Sequence, residues 1–348
     1  MYKVIINLLL IFVLVACQSK RYGPEGFNDL TVAQPSEKQA GWFNKHLDAS
    51  SLSVEQPDIV TWKLENGLQI YFLEDPELPL VSGQLIIPGG HYHAKQMDIG
   101  PQYTAMLSQL RTGGAGSLGP EALDQRLDEL SAGISAGADS EAINVSFSCL
   151  SEVLPETFAL FADVVMTPRF DESRLSLWKS RKVSSISRRK DEPDGIAGIA
   201  YKQLLYRNTP YQKIITTKDV GSITRVDLLK EHRKFIVPNG AKLILSGALN
   251  VEDAQDLIEQ YFSAWEKSQT ALPPLEEIKY QYQPGVKFIA GDFEQSTIYL
   301  VQPGPQRFGP NHYADKLFNG VFGSKGFASR LFSTVRSDMG LALSLIHI

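Results

Sequence analysis

The stretch from Val60 to Gly90 constrains this chain most, because it sets β-structure at the start of the folded part and leaves apolar faces to cover. Val60 to Leu64 and Leu68 to Leu73 each fit a short strand, and Asn66-Gly67 between them is a strong tight-turn signal, since both residues tolerate positive φ. A third run, Leu80 to Ile87, ends at Pro88-Gly89-Gly90. Strands with an apolar side need a second layer. The following residues supply one: helical spacing runs over Gly100–Thr112, from Pro120-Glu121 to about Leu130, and over Leu154–Val165, Glu172–Lys190 and Ile196–Leu205. Strand-like segments at Gly133–Ala138 and Ala142–Leu150 interrupt them.

Further on, Asp227–Phe235 reads as helix, Pro238-Asn239-Gly240 turns into the strand Ala241–Ser246, and Val251 opens an amphipathic helix ending near Trp265. Ser268 to Pro284 is Pro-rich and reads as a linker. Beyond it Val286–Ala290 and Ser296–Val301 repeat the strand theme and Tyr313–Val321 resumes helix. The expected fold class is α+β: two related domains, each a mostly antiparallel sheet with helices on one face, the second cut short. The expected boundaries are a leader at 1–16, a tether at 17–56, a first domain at 57–267, the linker at 268–284 and the second domain at 285–348.

The 348 residues carry 43% hydrophobic and 21% charged side chains, ordinary globular composition. A net charge of −5 leaves no footprint for nucleic acid. The one basic run, Arg181 to Lys190 (RKVSSISRRK), reads as a solvated helix face, with a surface for an acidic partner as the alternative.

The first residues read as a targeting segment. Lys3 precedes the apolar Val4–Val13, too short to span a bilayer, and Leu14-Val15-Ala16-Cys17 has the form of a bacterial lipobox. Lipid on Cys17 would tie the protein to the membrane, because each buried acyl CH₂ is worth about 0.8 kcal/mol. Gln18 is not the Asp that retains such lipoproteins in the inner membrane, so the expected location is the bacterial envelope, at the outer membrane facing the periplasm. With Cys17 lipidated, Cys149 has no intramolecular disulfide partner; it sits in an alternating run and reads as half-buried strand.

Three stretches resemble the insulinase/pitrilysin-type zinc peptidases, a family that includes the mitochondrial processing peptidases. They are LENGLQIYFLEDPELPLVSGQLIIPGG (Leu64–Gly90), IVPNGAKLILSGAL (Ile236–Leu249) and NGVFGSKGFASRLFSTVRSDMGLA (Asn319–Ala342). Each is weak alone, but their order and spacing match. In that family a helix carries the inverted zinc motif H-x-x-E-H. Aligned on Gly100 and Thr112-Gly113, its positions fall on Tyr103, Met106 and Leu107, and the downstream E-E pair falls on Ser184-Ser185. Every ligand and the general base are replaced together, which removes both the polarised water and its proton acceptor.

The resemblance therefore implies a non-catalytic member with no cofactor of its own. Members of the family often work as pairs that close round an unfolded peptide, so the implied partner is a zinc-bearing homologue. By the same resemblance Arg336 would grip substrate, with Arg330 as a second basic candidate and a Tyr expected at position 343. Leu343–Ile348 (LSLIHI) instead reads like a sequencing adapter translated through, so the expected native chain carries that Tyr and continues for about a hundred residues.

Two other readings stay open. His91-Tyr92-His93 would put two imidazoles on one side of a strand, near Asp98 and Glu74, as a displaced metal site; an exposed polar loop is the competing reading. A peptide-binding scaffold lipoprotein without protease association is the other. His46, His232 and His312 read as surface or capping residues.

Overall fold

The computed structural model describes residues 57–281, 284–305 and 309–347. The leader, Cys17, the tether and His46 lie outside the described residues. Among the described residues no helix is long and apolar enough to cross a membrane.

The first hairpin forms from β1 (Val60–Lys63) and β2 (Gln69–Glu74), with Gly67 at φ 96° in its turn. Asn66 secures that turn from below. Its buried amide donates to the carbonyls of Phe262 (2.6 Å) and Trp265 (3.1 Å), and its Oδ1 accepts from the Leu68 N–H (3.1 Å). β3 (Leu80–Pro88), β4 (Gly133–Ala138), β5 (Ala142–Leu150) and β6 (Lys242–Gly247) complete a six-stranded sheet in the order β1-β2-β6-β3-β5-β4. All pairings are antiparallel except β2 with β6.

The register aligns one apolar face across the strands. Val81 faces Cys149, Leu85 faces Val145 and Ile87 faces Ile143, all buried, while Ser82, Gln84 and Ser148 alternate outward. Gly83 is opposite Phe147, whose ring occupies the place of a Gly83 side chain. That ring packs on Phe158 and Phe161 of helix α4 (Leu154–Met166), and these in turn meet Phe262 of α9 (Val251–Phe262). Gly247 has φ 144°, and any side chain there would collide with the Leu80 backbone, where β6 enters between β2 and β3.

On the sheet, α2 (Gly100–Leu110) and α3 (Pro120–Glu129) meet β4, α4 meets β5 and α9 meets β2, while α5 (Glu172–Ser187) and α8 (Arg225–Phe235) pack on α2. α6 (Pro193–Leu205) and the short α7 (Thr217–Gly221) lie between the last two in sequence. Sequence start signals act as expected: Pro120 sits in the first turn of α3, and Thr224 with Asp227 makes a capping box for α8. The α+β class with a mostly antiparallel sheet holds.

Three expectations are corrected. His91–Gln96 is a short helix, α1, rather than strand or loop. Its first N–H groups donate to the carbonyls of Asp139 and Ser140, both 2.9 Å, so the turn between β4 and β5 sets its start. His232 is not a surface residue: it is 7% exposed, with Nε2 2.7 Å from the Val165 carbonyl. Residues 286–290 and 296–301 form no strands, although helix α10 (His312–Asn319) does form. Their alternation is real, but no described strand pairs with them, and Val286, Phe288, Ile298 and Leu300 are left exposed.

Candidate functional site

Helix α2 brings Tyr103, Met106, Leu107 and Leu110 onto one face, since residues three and four apart are neighbours on a helix. All four are buried. The face that would have to present a metal site is thus packed into the core. Tyr103 is fully enclosed: its ring meets Phe235 edge-on at 4.9 Å and His91 at 5.5 Å, and its hydroxyl donates to the Gly89 carbonyl at 2.8 Å. Burial, reinforced by the charge of Asp139, pushes the Tyr103 phenol far above its usual range, so it remains a protonated donor.

Ser184 lies exposed on α5. Gln109 Nε2 links α2 to that helix through the Arg174 carbonyl at 3.3 Å. A phenol committed to a carbonyl, a thioether, an alkyl chain and a solvated hydroxyl do not fit a zinc ion, which takes imidazole, thiolate or carboxylate donors. Among the described residues no group of three or more His, Cys, Asp or Glu side chains could hold a metal.

The alternative pair fares no better geometrically. On a helix, residues two apart point to different sides, so His91 and His93 do not converge. His91 is half-buried against Tyr103; burial lowers its pKa, Lys95 lowers it further, and Asp139 and the Ala138 backbone partly offset this. His93 is also lowered by burial, and its Nδ1 is enclosed without a hydrogen-bond partner among the described residues. Asp98 is engaged by Lys213 at 2.6 Å, and Glu74 is exposed at the end of β2.

Arg336 is exposed on a one-residue-wider helical turn, Phe332–Asp338, with its guanidinium 4.8 Å from the Phe332 ring and 5.9 Å from the Phe327 ring. Arg330 is also exposed. Neither is engaged by a carboxylate among the described residues. At the sheet edge, β4 pairs only with β5 among the described residues, so its outer N–H and C=O groups meet no described strand. Sequence reasoning did not find Gln96, whose side chain holds the backbone of a distant segment; its neighbours in sequence carry no periodic signal.

Residues 222–347 match the family described as Peptidase M16 inactive domain. An uncharacterized zinc protease of Rickettsia bellii is 24% identical over 287 residues, covering 81% of this chain and 68% of that protein. The non-peptidase homolog YmxG of Helicobacter pylori is 22% identical over 279 residues, 79% of this chain and 63% of its own length. A crystal structure of a peptidase M16 inactive domain from Pseudomonas fluorescens superposes with a TM-score of 0.66 at 25% identity, over 82% of this chain and 69% of that one. A Helicobacter pylori protease shares the fold at a TM-score of 0.55 and 18% identity, over 65% and 55%. The match over residues 222–347 and the shared fold make the chain similar to insulinase/pitrilysin-type (M16) peptidases, with its resemblance falling on a domain and a relative named as inactive or non-peptidase.

Proposed function

We propose that this chain is the non-catalytic half of a peptidase pair, held in the bacterial envelope by lipid on Cys17, with zinc in a homologous partner that hydrolyses peptide bonds. One observation carries the reading: Tyr103, Met106 and Leu107 are buried as core, so the motif face supports the fold instead of a metal. The chain's contribution to the pair is to bind unfolded peptide. The open edge of β4 suits that task, because an extended peptide can add to an unpaired strand through main-chain hydrogen bonds. Arg336 and Arg330 offer exposed cations for a substrate carboxylate.

The experiment is affinity purification of the full chain from native envelopes, with zinc measured in the complex and in the separated chain. The expected result is a co-purifying homologue with an intact H-x-x-E-H and zinc only in that partner. A lone chain with no such companion refutes the pairing and favours the scaffold reading. A tightly held zinc atom in the isolated chain refutes the non-catalytic assignment.

A further inference from the structure

Helices α1, α5 and α6 and the 209–217 loop enclose an open cleft of about 1040 Å³. Lys95, Arg189, Lys190 and Lys213 line it against one carboxylate, Asp98, which is already paired with Lys213. Lys95 and Lys190 have no carboxylate within salt-bridge distance among the described residues. Arg189 spends one Nη on the Ile215 carbonyl at 2.6 Å. Although the Lys95 side chain reaches solvent, partial desolvation of its ammonium, then the charge of Lys202, lowers its pKa.

The cations come from three separate elements, and apolar residues such as Ile199 and Ile214 line the cleft with them. A lining that mixes cations with apolar side chains suits a peptide bearing both carboxylates and apolar residues better than a bare phosphate. A smaller cavity of about 500 Å³ adjoins the cleft, sharing Gln96, Thr209 and Pro210. There the chain already holds an extended acidic segment of its own. The Gln96 carboxamide donates to the Pro274 carbonyl at 2.9 Å and accepts from the Glu276 N–H at 3.0 Å, and Glu276 and Glu277 line that second cavity. A carboxamide bracketing main-chain groups two residues apart recognises an extended backbone whatever its sequence.

We propose that this basic cleft binds an extended acidic peptide, with carboxylates on Lys95, Lys190 and Arg189 and apolar side chains between them. The basic run at residues 181–190 then serves an acidic partner rather than only solvent. The site is independent of the pairing proposed above, which is tested by co-purification.

The test titrates the full chain with a labelled, unstructured peptide of alternating Glu and Leu, with its Gln/Leu and Lys/Leu counterparts, with inorganic phosphate and with anionic lipid vesicles. The Glu/Leu peptide is expected to bind in preference to the rest, and more weakly as salt shortens the Debye length below about 8 Å. The double variant Lys95→Gln, Lys190→Gln is expected to weaken it by about 2–25-fold, from two partly solvated ion pairs. Lys242→Gln, on the exposed side of β6, is expected to leave it unchanged. Both cleft lysines are exposed, so the variant should keep its unfolding midpoint; if it does not, the charge selectivity and salt response of the unaltered chain decide. Equal affinity for the Glu and Gln peptides overturns the proposal. So does binding of phosphate or vesicles in place of the peptide.

Discussion

Restoring one residue of the zinc motif should damage the fold in a pH-dependent way. Met106 is fully buried on α2, so Met106→Glu places a carboxyl where the other side of the helix has no water to offer. A carboxyl in such surroundings has a pKa of about 8–9, against about 4.3 in the unfolded chain. Because the folded value is raised, the penalty is absent below the unfolded pKa, grows as pH rises and levels off above the folded pKa. At 1.36 kcal/mol per unit this is about 1 kcal/mol at pH 5 and about 5 kcal/mol at pH 8, beyond the loss of methionine packing common to both. The larger figure rivals the whole stability of an ordinary domain, about 5–15 kcal/mol. Urea denaturation followed by circular dichroism, for both proteins at both pH values, should give a variant that loses about 4 kcal/mol more at pH 8 than at pH 5. Equal destabilisation at the two pH values would mean that residue 106 faces a water-filled cleft, and the argument for a packed motif face would fail.

Three further outcomes are expected. Tyr103→Phe leaves the Gly89 carbonyl without its buried donor and should cost about 1–3 kcal/mol in denaturant unfolding; a loss within error would show water taking the place of the hydroxyl. His232 has a pKa lowered chiefly by burial, so the unfolded chain takes up its proton first: stability is full above about pH 6.5 and falls as pH drops through the folded value. His232→Gln should therefore unfold with a shallower pH dependence between about pH 7 and 5 than the unaltered chain, and an identical slope would refute the assignment. Burial raises the Cys149 thiol pKa, so a thiol reagent at neutral pH should label this residue only after unfolding, as read by peptide mapping.

How much could be read beforehand depended on whether a segment's pattern came from its own packing. β2, β3, β5 and β6 alternate because one face of the sheet is buried, and their bounds were legible to within a residue or two. The helix that carries the proposed motif positions was legible as well, its expected span of Gly100–Thr112 overrunning α2 by two residues. Helix α1 was not, since HYHAKQ has no apolar period and its start is set by carbonyls about 50 residues away. The burial of His232 was hidden by chemistry rather than spacing: Leu228, Glu231, His232 and Phe235 form a regular stripe, but two of the four are ionisable. Residues 286–301 fail in the opposite sense, with the right alternation and no described strand beside them. The basic cleft depends on α1, α5, α6 and a loop meeting in space, which no single stretch of sequence announces.

The place of β6 between β2 and β3 has a consequence for biogenesis. A nascent chain holds both neighbours for well over a hundred residues before the strand that joins them exists. Until Gly247 has been synthesised, two half-sheets expose raw edges, so early arrest or proteolysis upstream of that glycine should yield sticky fragments.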